Sequence, residues 1–399
     1  MELSLVNSAQ SLRPADVPPA LAPGLYVHVP FCFHKCHYCD FYSITRQTPE
    51  RMGHFVDLIL REAEQWTDSP VQVRPRTLFF GGGTPSLLPL EEMRRLLSGL
   101  RERFDFSGVD EWTVEANPAT VSLEYCQMLR EAGVDRLSFG AQSFNPTELK
   151  LLERHHDPED VPRSVEIAKQ AGFKRMNVDL IYAIPGQDLS AWSASLEAAI
   201  ALGTPHISAY GLTYEPNTAI AVRKRLGHFI AAEDSLELEM MRHARRCLSE
   251  AGLDAYEISN FAKPGESCRH NLLYWTGGNY IGLGPSAASH VEGWRWKNRP
   301  HLGEWERAVE RDQLPAAELE KLSDQQRQGE WVMLRLRLSG GVAFDDYAAR
   351  WCHDARNVYS DELTRLTKLG LLEVTPRRFA LSDAGLAVAD AIASEFLRV

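Results

Sequence analysis

Tyr26-Val-His-Val-Pro-Phe-Cys32-Phe-His-Lys-Cys36-His-Tyr-Cys39-Asp-Phe-Tyr42 is the stretch on which the reading of the fold turns. Three cysteines stand at C-x3-C-x2-C spacing directly after a short run of β-type residues. Thiolates are soft ligands that select iron–sulfur clusters, zinc or copper(I). A cubane cluster normally takes four cysteines, one per iron. Three close cysteines would leave one iron open to a substrate or cofactor. A zinc site is the other reading, with His28, His34 or His37 as fourth ligand, because structural zinc is closed and four-coordinate. Spacing alone leaves the two readings open.

Outward from this stretch the chain alternates in character. Strand-like runs at Leu25–Val29, Thr77–Phe80, Trp112–Glu115, Arg136–Phe139, Asn177–Ile181 and Ile207–Tyr210 are separated by amphipathic helical patterns. Ser122–Ala132, Pro158–Ala171 and Leu189–Leu202 are three of these, and Ala231–Ala251 follows the last run. Six βα units of this kind predict a parallel sheet with crossover helices. The unusual residues fall at the C-terminal ends of successive runs, the rim on which barrel active sites are built. The cysteines follow the first run and Gly81-Gly-Gly-Thr-Pro85 the second. Glu115 ends the third, Gln142 follows the fourth, and Asp179 lies late in the fifth. Glycines in such a loop remove the Cβ atoms that would keep backbone from a ligand.

Composition bounds the rest. The chain has 399 residues, 44% of them hydrophobic, enough for one large domain and a smaller one. Its 43 basic and 54 acidic residues give a net charge of −11. That balance disfavours broad contact with nucleic acid or an anionic membrane. The seven cysteines do not form a secreted disulfide framework: three are clustered, and Cys126, Cys247, Cys268 and Cys352 are scattered. A cytoplasmic location is expected, since the N-terminus carries no secretory signal and no apolar run approaches the ~20 residues of a membrane helix. Residues 1–23 read as a flexible lead-in, 24–300 as the α/β domain, and 301–399 as a mainly helical domain. In the last of these, Asp361–Gly370 is predicted as a helix, Leu371–Leu381 as a hairpin and Asp383–Leu397 as a helix, an order that resembles a winged helix.

The cysteine stretch resembles the cluster motif of the radical S-adenosylmethionine (SAM) superfamily. Its flanks, together with the Gly81–Pro85 loop one βα unit later, resemble the oxygen-independent coproporphyrinogen III oxidase-like branch, and within it the HemW heme chaperones. The resemblance implies a partial (β/α)6 barrel. It also implies a 4Fe-4S cluster on Cys32, Cys36 and Cys39, with SAM on the open iron. By the same carry-over Gly82, Gly83 and Thr84 take the methionyl amino group and Glu115 pairs with its ammonium. Gln142 and Asp179 meet the ribose, Arg154 grips the carboxylate, and Tyr26 and Tyr38 lie near the cofactor. Reductive cleavage of the sulfonium is the chemistry so implied.

A second string, Cys268-Arg-His270-Asn-Leu-Leu-Tyr274-Trp275, matches the His-Asn-x-x-Tyr-Trp motif of the HemW group. The match implies heme, with His270 as axial ligand. Cys268 is a lesser candidate, better read as a small buried hydrophobe. The coproporphyrinogen oxidases carry a further cysteine where this chain has Phe41. This departure argues for a chaperone over a porphyrinogen oxidase, which is the alternative; no catalytic residue is assigned. A third reading is a zinc-stabilised protein whose winged tail binds nucleic acid. Arg365, Lys368, Arg377 and Arg378 are a thin basic set for that, and a structural or lid role is expected of the tail. The partners implied are heme, a heme-acceptor protein and a low-potential electron donor. Transient contact with membrane proteins is also compatible, without nucleic acid or a transmembrane segment.

Overall fold

The computed structural model describes residues 12–398. Six parallel strands follow one another in sequence order: β1 (Ala20–Val29), β2 (Val71–Gly82), β3 (Glu111–Ala116), β4 (Arg136–Gln142), β5 (Arg175–Tyr182) and β6 (His206–Gly211). The crossovers are α1 (Pro49–Glu64), α2 (Leu90–Arg103), α3 (Leu123–Glu131), the pair α4 (Pro146–Leu151) and α5 (Asp160–Gln170), and α6 (Leu189–Ala201). Then come α7 (Ala219–Arg225) and α8 (Asp234–Glu250). This is a partial (β/α)6 barrel, left open because neither edge strand pairs with the other. β7 (Asp254–Ala255) and β8 (Asn260–Ala262) extend the sheet beyond β6. Beyond β1 lie β9 (Tyr280–Leu283), β10 (Ala288–Val291), β11 (Trp294–Asn298) and β12 (Ala316–Lys321), giving a twelve-stranded sheet.

Side chains of the strands point alternately to the two faces, as pleated backbone requires, apart from register shifts in β1 and β4. One set, including Val27, Phe80, Val114, Phe139, Val178 and Ile207, is fully buried against the helices. Each such side chain contributes roughly 1.5–3 kcal/mol through burial. The other set faces inward and is polar: Thr113, Ser138, Asn177, Asp179, His206 and Ser208 line the barrel's interior. Local signals set the helix starts. Ser122 accepts from the Tyr125 amide at α3, and Asp188 from the Ala191 amide at α6.

The N-terminal end of the barrel is closed by α9 (Arg269–Trp275). It sits on Glu111, the first residue of β3, whose carboxylate accepts from the His270 amide at 3.1 Å and the Cys268 thiol at 3.3 Å. Arg175 pairs with the same carboxylate at 2.6 Å. Burial opposes the charge on Glu111, but Arg136 and Arg175 outweigh it and hold the carboxyl below its ordinary range.

Of the lead-in read over residues 1–23, residues 1–11 lie outside the described residues, and Ala20 onward is already β1. The large core runs on past residue 300. It includes Leu302, Trp305 and Val309 of α10 (Leu302–Glu310) and Leu314, and β12 joins the same sheet. The change of core therefore falls near residue 322, not 301. A second core begins with Trp331 of α11 (Asp324–Arg335) and gathers Phe344, Tyr347, Tyr359, Phe379 and Phe396. Its sheet is β13 (Val342–Ala343), β14 (Leu372–Val374) and β15 (Arg378–Leu381), which places the expected hairpin with a third strand added. The helix expected over Asp383–Leu397 is broken into Asp383–Leu386 and Ala389–Ser394. This small domain docks beside α9. Arg337 lies over the Trp275 ring at 4.7 Å, and the Ser339 amide donates to the Tyr256 carbonyl. These contacts lie at the end of the barrel opposite the cysteines. Arg365 pairs with Glu395, and Arg378 donates to the carbonyls of Ser339 and Gly340, so half of the tail's basic set serves its own domain.

Glu62 of α1 ties the barrel to its extension. It is 1% exposed and accepts from the Gly284 amide, Asn298 and Trp305 at 2.7–2.9 Å. Burial pushes its carboxyl up to about 7, against those three donors. Glu62→Gln must turn an NH2 toward one of them. We expect a loss of about 1–3 kcal/mol, read as a lower midpoint of thermal unfolding with the fold intact by circular dichroism.

Candidate functional site

The cysteine loop is pinned at its base. The Cys32 amide donates to the Ile44 carbonyl at 3.0 Å and the Ile44 amide to the Pro30 carbonyl at 2.7 Å. The glycine loop is stitched to the same base: the Gly83 amide donates to Val29 at 2.8 Å and the Thr84 amide to Phe31 at 2.7 Å. The Thr84 hydroxyl lies 3.6 Å from the Cys32 sulfur. The far side of the loop is tied by the His37 amide to Leu152 and by the Ile220 amide to His37. Tyr38 packs there against Leu152, Ile181 and Leu212.

Glycine is needed at this junction. Gly82 has φ +101, and a Cβ on it would fall 2.4 Å from the His28 ring. A Cβ on Gly83 would fall 2.7 Å from the Phe31 carbonyl oxygen. His28 is buried and neutral, its conjugate acid pushed down to about 4 by burial. Its Nε2–H donates to the Tyr42 carbonyl at 2.8 Å, so Nδ1 accepts from the Tyr26 hydroxyl at 3.2 Å. Both ring nitrogens are thus spent, and His28 is withdrawn as a fourth ligand beside the thiols. His34 and His37 turn toward Glu153.

Two cavities meet behind the loops. One of about 490 Å³ is lined by Cys32, Cys36, Cys39, Gly82, Gly83, Thr84, Gln142 and Arg154. The other, about 760 Å³, runs down the barrel past Tyr26 and Phe79 to His270 and Tyr274. Tyr38, Cys39, Phe41, Gly82, Glu115 and Asp179 belong to both walls. Gln142 reaches its position through a β-bulge after Gly140 and a left-handed φ of 66°. The guanidinium of Arg154 donates to the Gly140 carbonyl and lies 3.7 Å from the Cys36 sulfur. Its Nε is buried without a partner among the described residues.

Glu115 and Asp179, both half-buried, share the wall between the two cavities. Burial raises the Glu115 carboxyl to about 8, Asp179 adds to the rise, and the Gly82 amide opposes it. Asp179 is also raised, by burial, while Ser208, Asn177 and Ser138 oppose the shift through hydrogen bonds. The site is therefore poised to take a cation beside Glu115.

His270 lies at the other end of the strands from the cysteines. Its Nδ1 meets the Thr77 hydroxyl at 2.9 Å and its Nε2 the Tyr274 hydroxyl at 2.8 Å, with Phe79 stacked on the ring. Cys268 is a buried thiol pushed up to about 12 by burial. The sequence reading missed most of the inner wall: Thr113, Ser138, Asn177, His206, Ser208 and Tyr210. The available signal was polar residues at every second position of strands otherwise apolar throughout.

Comparison with known proteins agrees with this geometry. A family model described as the Radical SAM superfamily matches residues 26–199, and one described as the HemN C-terminal domain matches residues 322–388. Barrel, cysteine rim and these matches define a radical SAM protein. Heme chaperone HemW of Lactococcus lactis is 32% identical over 372 residues, 93% of this chain and 96% of that protein. Heme chaperone HemW of Mycobacterium tuberculosis is 35% identical over 390 residues, 95% of this chain and 97% of that protein. The chain belongs to the HemW heme chaperone family. The solved structure of coproporphyrinogen III oxidase (HemN) from Escherichia coli shares the fold, with a TM-score of 0.83 at 22% identity over 95% of this chain and 90% of that one. No helix among the described residues is long and apolar enough to cross a membrane.

Gly83→Ala is expected to destabilise by about 1–3 kcal/mol through overpacking, since the atoms it meets are backbone. Gly303→Ala, within α10 and clear of close neighbours, is expected to be neutral or to stabilise by up to about 1 kcal/mol. Paired thermal melts check the contrast.

Proposed function

We infer that this chain binds heme and passes it to an acceptor protein. In this reading it holds a 4Fe-4S cluster on Cys32, Cys36 and Cys39, with SAM seated at the open iron. The observation that carries the reading is that the residues matching the cluster and SAM sets line two cavities with a common wall, in a chain similar to HemW proteins over most of its length. A low-potential electron donor and an acceptor protein are the partners it requires.

The residues fit these groups by their own chemistry. Three thiols on one short loop make a soft donor set. The unpartnered Nε of Arg154 suits a carboxylate, and Glu115 an ammonium. Gly82 and Gly83 let the glycine loop pack directly on His28 and Phe31, which sets Thr84 beside the thiols. Asp179 and Gln142 offer oxygens for hydroxyl groups. When bound, such a cluster supplies a low-potential electron to the sulfonium of SAM. Phe41, 64% exposed at the mouth of both cavities, stands where the oxidases have a further cysteine. An apolar ring there favours contact with a porphyrin over added thiol chemistry. His270 enters the reading on its motif alone; a heme iron at that ring would have to take Nε2 from Tyr274.

Anaerobically reconstituted protein titrated with heme is expected to show a saturable Soret band. Absence of a band contradicts the chaperone reading, and His270→Ala with an unchanged spectrum and affinity removes His270 as the ligand. Incubated with reductant, SAM and coproporphyrinogen, the protein is expected to yield no protoporphyrinogen; its appearance supports the oxidase reading instead.

Glu115 gives a pH-linked test. Its carboxyl is raised, so at pH 7 it is mostly protonated before the ligand arrives. An ammonium beside it favours the carboxylate, so SAM binding at pH 7 is expected to release protons, and the release should vanish above the raised pKa. Calorimetry in buffers of different ionisation enthalpy measures this. Glu115→Gln should abolish the release and weaken binding roughly 10- to 100-fold, the worth of a hydrogen bond to a charged group.

A further inference from the structure

Outside the thiol set, a second group of ligating atoms gathers on the same rim. His34 lies between Cys32 and Cys36, and Glu153 and His155 flank Arg154 in the loop after α4. Nε2 of His34 stands 3.8 Å from Oε1 of Glu153, and Nε2 of His155 stands 4.0 Å from the same oxygen. The three ligand atoms fall within 4.8 Å of one another. Nε2 of His34 is buried and has no hydrogen-bond partner among the described residues.

The backbone brings this set together. Glu153 takes a left-handed φ of 57°, at a helix end where glycine is the usual residue. The Glu153 amide donates to Lys150 and the Arg154 amide to Leu149, closing α4 and directing the loop toward the cysteines. A non-glycine residue held there is the kind of local strain that collects at functional positions. Behind the carboxylate stands His37, its Nε2 3.6 Å from Oε2 of Glu153. Arg223 donates to Nδ1 of His37 at 2.8 Å and so orients that ring. His37 thus occupies the position that an outer partner of a metal-binding carboxylate takes, just beyond hydrogen-bond distance.

We propose that His34, Glu153 and His155 bind one divalent transition-metal ion of the borderline class, which favours imidazole nitrogen and carboxylate oxygen, with zinc as the reference. Imidazole nitrogen and carboxylate oxygen are both ligands for an ion of this class, and one cation between them would contact all three groups. Bound zinc has ligand distances of about 2.0–2.2 Å, so the atoms must close by less than about 1 Å. The side chains have room for that: His34 is 38% exposed and His155 is 62% exposed. The ion would tie the cysteine loop to the loop carrying Arg154. It uses no thiolate, although its three ligands line the same cavity as the cysteines.

The test is a zinc count on anaerobically reconstituted full-length protein equilibrated with micromolar zinc, with iron measured in the same sample. Wild type is expected to hold one more zinc ion than Glu153→Gln or His155→Ala, at unchanged iron, with at least tenfold weaker binding in the variants. The count is a difference, so it holds whether or not the thiols carry iron. Equal zinc in wild type and variants overturns the proposal. X-ray absorption at the zinc edge of the wild type gives a readout that needs no variant. A nitrogen and oxygen shell at about 2.0–2.1 Å is expected, and a shell of sulfur alone at about 2.3 Å overturns it.

Discussion

The structure depends on a close backbone approach: the amides of Gly83 and Thr84 donate to the carbonyls of Val29 and Phe31. These bonds extend the β1–β2 ladder past the ends of the strands and make the cysteine loop and the glycine loop one body. The approach is possible because no side chain stands between the loops at positions 82 and 83. From it follow the place of Cys32 beside Thr84, the neutral His28 ring over Gly82, and the hold of that ring on Tyr42. Tyr42 carries the same constraint outward, its hydroxyl accepting from the Leu302 amide at the start of α10. The base of the rim is thus secured by hydrogen bonds of the chain itself.

Below the rim the barrel has two faces of opposite character. The outer set of strand side chains is apolar and packed on helices, while the inner set is polar and bonded to itself. Asn177 is the hinge of that inner set, bonded to Ser138, Asp179, His206 and Ser208. A polar wall inside a poorly solvated space raises the proton affinity of its acids, and Glu115 and Asp179 both rise by burial. At the opposite end the charges are paired instead. Arg136 and Arg175 surround Glu111, and α9 is fastened there through the His270 amide. One end of the barrel can thus receive a ligand while the other is sealed and carries the small domain.

Much of this was legible in the sequence, for stated reasons. The six runs became the six parallel strands because an apolar outer face and short polar ends leave few other arrangements. Their C-terminal ends carried the marked residues, and these line joined cavities. Strand lengths were not legible. β2 begins at Val71, with Arg74 and Pro75 inside it, because polar and proline residues are tolerated where the strand runs beyond its neighbour β3. The boundary at 301 misplaced α10 and β12, whose apolar residues resemble those of either domain until their partners are known. His270 illustrates the limit most clearly. Its motif was visible, but its burial under Thr77 and Tyr274 at the closed end depends on a fold of α9 against β2 and β3 that local pattern does not encode.

The proposed function rests on three thiolates holding a cubane cluster whose fourth iron takes SAM directly. The most direct measurement is electron–nuclear double resonance on the reduced, reconstituted protein with SAM labelled with oxygen-17 at its carboxylate. A hyperfine coupling between that oxygen and the cluster is expected, lost in Cys36→Ala. A fully loaded cluster with no coupling, or protein that takes up zinc on its three thiols and forms no cluster, would contradict it.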